Sequence, residues 1–178
     1  MNDFTRLCLK YQKTDKHTTH SYDTVYHQLL SGKRDSVTSV LEIGVREGDS
    51  LRVWREYFPN ATIHGIEINE DWLVTEDRIR CFKANQEDAQ QLRKAVLNTS
   101  YDLIVDDGSH ALDHQIKSIT YLFGNLKPGG LYCIEDVATE SIEPLTQFLK
   151  KVFPNRFYAF DLRKVKNRCD DYLIVVGG

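Results

Sequence analysis

The chain has 178 residues, 41% of them hydrophobic, which suits a single domain with a full core, 1–178. Its formal net charge of -3 provides no basic footprint for nucleic acid, and no apolar run approaches the roughly 18 residues of a membrane span. With no signal-peptide pattern at Met1 to Lys10, the expectation is a soluble cytoplasmic protein with no nucleic-acid or membrane partner. Asp3 to Tyr11 and Tyr22 to Leu30 read as helices of a polar N-terminal segment, residues 1–35, expected to cover the functional site. Strands follow at Val37 to Ile43, Thr62 to Ile66, Ile79 to Lys83, Tyr101 to Val105, Gly130 to Ile134, Phe157 to Asp161 and Tyr172 to Val176. Helical patterns separate them at Ser50 to Phe58, Glu70 to Thr75, Asp88 to Leu97, Leu112 to Leu126 and Ile142 to Val152. This alternation predicts an α/β fold, a mostly parallel sheet with helices on both faces. Lys127-Pro128-Gly129-Gly130 reads as the turn that ends a helix and launches a strand. Cys8, Cys81, Cys133 and Cys169 are widely spaced and read as reduced, structural thiols, with disulfides as the alternative.

Two strands end in chemistry. The apolar run Leu103-Ile104-Val105 breaks into Asp106, Asp107, Gly108, Ser109 and His110, and Gly130 to Ile134 breaks into Glu135 and Asp136. If the two strands are neighbours, four carboxylates and an imidazole meet on one rim, a site for a hard cation with a base beside it. The first strand ends in Glu42-Ile43-Gly44, with Gly48 four residues on and Asp49 or Ser50 capping the next helix. Glycine there lets a ligand approach the backbone, and the helix start presents free N–H groups. The spacing is neither G-x-G-x-x-G nor a P-loop, which argues against a nicotinamide or nucleoside triphosphate. Glu67, at the end of the second strand, is placed to accept a ribose diol; the plainer alternative makes Gly44 and Gly48 turn formers and Glu67 a surface acid. Asp106 serves either this pocket or a turn. His110 and His114 could pair on zinc, but no cysteine or third histidine stands nearby. His17, His20 and His27 read as solvated, Trp54 and Tyr57 as core, and Glu87-Asp88 and Lys150-Lys151 as solvated faces.

The E-I-G-x-x-x-G-x-S turn, the acid at Glu67 and the L-K-P-G-G turn resemble the S-adenosylmethionine-dependent methyltransferases. More narrowly, K-T-D-K (Lys13 to Lys16), H-x-Y (His20, Tyr22), W-R-x-Y-F-P-x-A-x-I-x-G-I (Trp54 to Ile66), D-D-G-S-H and I-E-D resemble the metal-dependent O-methyltransferases of macrolide deoxysugars and related glycans. The resemblance implies a Rossmann-like three-layer αβα fold whose mostly parallel seven-stranded sheet has an antiparallel last strand. It implies cofactor contacts from Thr14, Lys16, Glu42, Gly44, Gly48, Ser50, Glu67, Asn85, Gln86 and Asp106. Ala84-Asn85-Gln86 stands where relatives often carry G-D-Q. Asp107, Glu135 and Asp136 are the implied ligands of Mg2+ or Mn2+, Asp107 is counted with the catalytic residues, and His110 is the implied general base for a sugar or glycan hydroxyl. A catechol-like diol acceptor and a non-catalytic binding domain are the alternatives. Oligomeric state stays open, as does whether the chain is one domain of a longer polypeptide.

Overall fold

The computed structural model describes all 178 residues. Its N-terminal part holds α1 (Asp3–Lys10), α2 (Asp15–Thr18) and α3 (Tyr22–Leu30). Then come β1 (Ser39–Ile43), α4 (Asp49–Tyr57), β2 (Thr62–Glu67), β3 (Thr75–Glu76), β4 (Ile79–Lys83), α5 (Ala89–Ala95) and β5 (Tyr101–Asp106). The chain finishes with α6 (Leu112–Leu122), β6 (Leu126–Ile134), α7 (Thr139–Val152), β7 (Phe157–Asp161) and β8 (Tyr172–Gly177). The strands form one sheet in the order β3-β4-β2-β1-β5-β6-β8-β7. All seven expected strands are present, and the last, β8, runs antiparallel to both neighbours, β6 and β7. The eighth, β3, is a two-residue strand pairing antiparallel with β4 at the edge.

Apolar residues on both faces of β1, β5 and β6 explain the three layers. One core packs Phe4, Tyr22, Tyr26, Trp54, Tyr57 and Phe58 from α1, α3 and α4 against Val40, Leu103 and Cys133. The other packs Leu92, Ile119, Leu122, Leu145 and Leu149 from α5, α6 and α7 against Leu41, Ile104 and Ile134. The N-terminal segment is therefore part of a core layer rather than a polar appendage, because its aromatics cover a sheet face that α4 alone leaves open. Three other expectations need correction. Glu70 to Thr75 forms one 3-10 turn, Glu70–Trp72, before the chain extends into β3. The helix expected to reach Leu126 stops at Leu122 and passes through a 3-10 turn, Phe123–Asn125. Lys127 to Gly130 lies inside β6, where the β5–β6 register shifts between Tyr101 and Leu103, so it is an irregularity within the strand. All four cysteines are free thiols.

Neighbouring β1 and β5 are where the sheet order turns back on itself, with β2 and β4 on one side and β6 on the other. The crevice beyond the C-terminal ends of such strands is the usual ligand site of open α/β sheets. Backbone bonds past the strand ends bind its lip together: Gly44 N–H to Ile66 C=O (2.9 Å), Asp107 N–H to Ile43 C=O (3.0 Å) and Glu135 N–H to Asp106 C=O (3.0 Å).

Candidate active site

A cleft of about 770 Å³ opens at this crevice, within the range of small-molecule sites. Of the residues implied by sequence, Thr14, Gly44, Gly48, Ser50, Glu67, Asn85, Gln86, Asp107 and His110 line it. Gly44 has φ of 87°, and a Cβ there would stand 2.0 Å from the Asp107 carbonyl oxygen, so the turn admits no side chain. Gly48, also left-handed, precedes α4 and leaves its first-turn N–H groups without a side-chain cap. Glu67 is 5% exposed and is no surface acid. It accepts the N–H groups of Val45 (2.9 Å), Arg46 (3.0 Å) and Asn69 (2.9 Å), which aims its carboxylate along the cleft wall.

Lys16, Glu42 and Asp106 do not line the cleft; they lie behind its walls. Glu42, mid-strand in β1 and fully buried, accepts from Ser50 Oγ (2.7 Å) and Trp54 Nε1 (3.0 Å). Lys16 is also fully buried and ion-pairs with Glu42 (2.9 Å), Asp107 (2.8 Å) and Glu135 (2.7 Å). Burial alone would lower its ammonium, but Asp107, Glu135 and Glu42 outweigh that and hold it well above the ordinary lysine range. Asp106 accepts from Gln86 Nε2 (2.7 Å), and burial pushes its carboxyl up to about 7. Gln86 also donates to Ser118 Oγ (2.8 Å) and accepts from the Ser109 N–H (3.0 Å), so its amide buttresses the Asp107 to His110 loop from behind.

The acidic rim forms at the ends of neighbouring β5 and β6. Ligand-capable atoms of Asp107, His110 and Asp136 all lie within 4.8 Å of one another. His110 and Asp136 both carry left-handed backbones, φ 59° and 52°, conformations that cost non-glycine residues energy and gather at functional sites. Tyr22 donates its hydroxyl to Asp136 Oδ1 (2.7 Å), and His110 Nε2 stands 3.6 Å from Asp136 Oδ2. Glu135 is placed differently: Tyr26 donates to one oxygen and Lys16 to the other, and it is outside that three-residue cluster. His110 and His114 fall in separate clusters and form no zinc pair.

Several neighbours were not expected from sequence. His20 is 2% exposed rather than solvated, with Nδ1 3.3 Å from Asp136 Oδ1. Lys13, Asp15 and Trp72 line the cleft. His114, on the opposite wall, bonds Ser109 Oγ (2.6 Å) and pairs with Glu87 (2.9 Å). The acid inside the apolar run of β1 was the one readable sign that a buried cation had to exist.

Burial, reinforced by the negative charge of Asp107, pushes Asp136 up to about 7. A carboxyl raised in the fold stabilises it while protonated, an effect complete below about pH 4 and lost as pH rises through about 7. The metal-free protein should thus lose part of its stability between about pH 4 and 7, and Asp136→Asn should flatten that slope. Thermal melts in chelator across this range test it; an unchanged slope in the variant would reject the assignment.

No family model matches the chain. Among curated proteins it is 36% identical to the 8-demethyl-8-alpha-L-rhamnosyl tetracenomycin-C 2'-O-methyltransferase of Streptomyces olivaceus, over 134 residues, 71% of this chain and 35% of that protein. It is also 36% identical to the mycinamicin VI 2''-O-methyltransferase of Micromonospora griseorubida over 145 residues, 77% of this chain and 36% of that one. The chain therefore spans about a third of the length of the curated relatives it matches. Among solved structures, the mycinamycin-pathway methyltransferase MycE in complex with Mg and SAH superposes with a TM-score of 0.83 at 26% identity, covering 99% of this chain and 55% of that one. A putative caffeoyl-CoA O-methyltransferase from Staphylococcus aureus, at 18% identity and a TM-score of 0.71, shares the fold. By sequence and fold together, the chain has the Rossmann-like fold of the S-adenosylmethionine-dependent methyltransferases and is similar to about a third of each of these sugar O-methyltransferases.

Proposed function

We propose that the chain transfers a methyl group from S-adenosylmethionine to a sugar hydroxyl, assisted by a divalent cation. One observation carries the reading: the glycine turn, the buried acid Glu67, Asp107 and His110 face a single cleft, with Asp136 just behind its wall and clustered with Asp107 and His110. The donor fits what the cleft offers, with a side-chain-free turn at Gly44, uncapped first-turn amides after Gly48 and a carboxylate at Glu67. A cation fits the rim, because Glu42, Asp107 and Glu135 share the single ammonium of Lys16 while Asp136 has no lysine or arginine partner. Oxygen ligands from Asp107 and Asp136 suit Mg2+ or Mn2+. Glu135, which accepts from Tyr26 and Lys16, keeps lone pairs for the same ion but stands outside the three-residue cluster. The MycE structure with Mg, SAH and mycinamycin VI supports both assignments, at 25% identity and a TM-score of 0.82.

The bound donor supplies a methyl already poised to leave, and the cation supplies a positive charge that acidifies and orients the acceptor hydroxyl. The protein's task is then to align that hydroxyl and remove its proton. His110 lies on the cleft wall, 39% exposed, and takes the proton at Nε2. Asp136 Oδ2 steadies the imidazolium that results. Thr14 and Asp15 form the cleft's N-terminal lip. The deoxysugar of a macrolide-like or glycan acceptor is the favoured partner, on the strength of the relatives' substrates.

Calorimetry with S-adenosylhomocysteine should give micromolar-range binding, typical of such ligands, and NAD should give none. Labelled methyl should reach a rhamnosyl or other deoxysugar acceptor. Binding of NAD without the methionine-derived nucleoside would sink the pocket assignment.

A further inference from the structure

We infer that Lys16 is a built-in counter-cation, standing in for the divalent ion beneath the acidic rim and letting the metal-free chain stay folded. It is a positioning residue and touches neither cleft nor acceptor. The K-T-D-K pattern suggested a cofactor contact, yet Lys16 is fully buried and absent from the cleft lining. Its ammonium is within 2.9 Å of three carboxylates that otherwise have no cationic partner: Glu42 (0% exposed), Glu135 (1%) and Asp107 (17%). Glu42 lies in β1, and Asp107 and Glu135 stand one residue past β5 and β6, so one side chain from α2 bridges three carboxylates across the middle of the sheet. Without that counter-charge, the two buried carboxylates and the half-buried Asp107 would be driven to take up protons or to draw in another cation.

Charge balance also fixes the direction of the effect. One positive charge against three leaves the rim negative enough to attract a divalent ion, while the nearby ammonium weakens that ion's hold. Lys13 and Lys166 pin the same segment from outside, through Glu47 and through the His20 carbonyl (2.6 Å), so the lysine stays placed with or without the ion.

The inference rests on the reading that the rim holds a divalent cation, and Mn2+ serves as the probe. Free Mn2+ followed by electron paramagnetic resonance should show wild-type binding and at least tenfold tighter binding in Lys16→Met, which keeps the side-chain volume and removes the charge. In chelator the variant should melt far below wild type, and Mn2+ should recover it by a larger shift than wild type shows. Where Lys16→Met does not fold alone, Lys16→Met/Glu42→Gln removes one charge of each sign. That pair should fold in chelator and still bind Mn2+ more tightly than wild type. Equal Mn2+ affinity and an equal Mn2+-induced shift in the variants overturn the role of Lys16 and leave the cation reading standing. Wild type that binds no Mn2+ overturns both.

Discussion

Asp107→Ala is expected to retain S-adenosylhomocysteine binding within a few-fold of wild type while losing roughly a thousandfold or more in methyl transfer. The separation follows from where the two halves of the residue sit. Its backbone belongs to the glycine turn, donating to the Ile43 carbonyl and packing against Gly44, and alanine preserves both contacts. Its side chain belongs to the rim, meeting Lys16 at 2.8 Å and joining His110 and Asp136. Wild-type activity should likewise disappear with chelator and return with Mg2+ or Mn2+. Full turnover in excess EDTA would reduce these acids to polar rim residues, and loss of cofactor binding in the variant would mean that the side chain shapes the turn.

His110→Ala should lower the methyl-transfer rate by roughly a hundredfold or more, the usual size of a general-base contribution, with cofactor affinity unchanged. The imidazole is held at the cleft by a left-handed backbone and has no hydrogen-bond partner at Nδ1, so its removal leaves no donor stranded elsewhere. Added imidazole should restore part of the rate, since the gap it leaves opens onto the cleft. A variant that keeps most of its activity would assign hydroxyl activation to the cation alone, and the methyltransferase reading would survive without this base.

Much of the architecture was legible because the signals were local. Apolar runs ending in polar clusters marked β1, β5 and β6, and Ile79–Lys83 and Phe157–Asp161 match to the residue. The rim was legible for the same reason, since Asp107 and Asp136 needed only the adjacency of two strands. Burial of individual polar residues was not legible. Lys16 and His20 sit in a segment rich in charged and hydroxyl groups, and nothing within ten residues tells a lysine that its partners are on other strands. Lys127 to Gly130 misled for a related reason: proline and paired glycines mark a break in regular structure but do not say whether it falls in a turn or within a strand. Glu135 shows the limit most plainly. An acid at a strand end predicts a rim carboxylate, yet just past β6 Glu135 turns toward Tyr26 and Lys16, while the left-handed backbone of Asp136 brings its carboxylate beside His110.

The lysine beneath the rim also bears on how the molecule is made. Its partners Asp107 and Glu135 follow it by 91 and 119 positions, so they leave the ribosome long after the residue they must neutralise. Contacts of that separation close late, after locally connected units have formed. The N-terminal helices pack on α4, Phe4 against Trp54 and Tyr57 and Tyr26 against Trp54, but the ion pairs of Lys16 wait for the residues after β5 and β6. The acidic rim is therefore completed only when the chain beyond β6 has been made, and a nascent chain halted before β6 would hold Lys16 without Glu135, one of its three counter-charges.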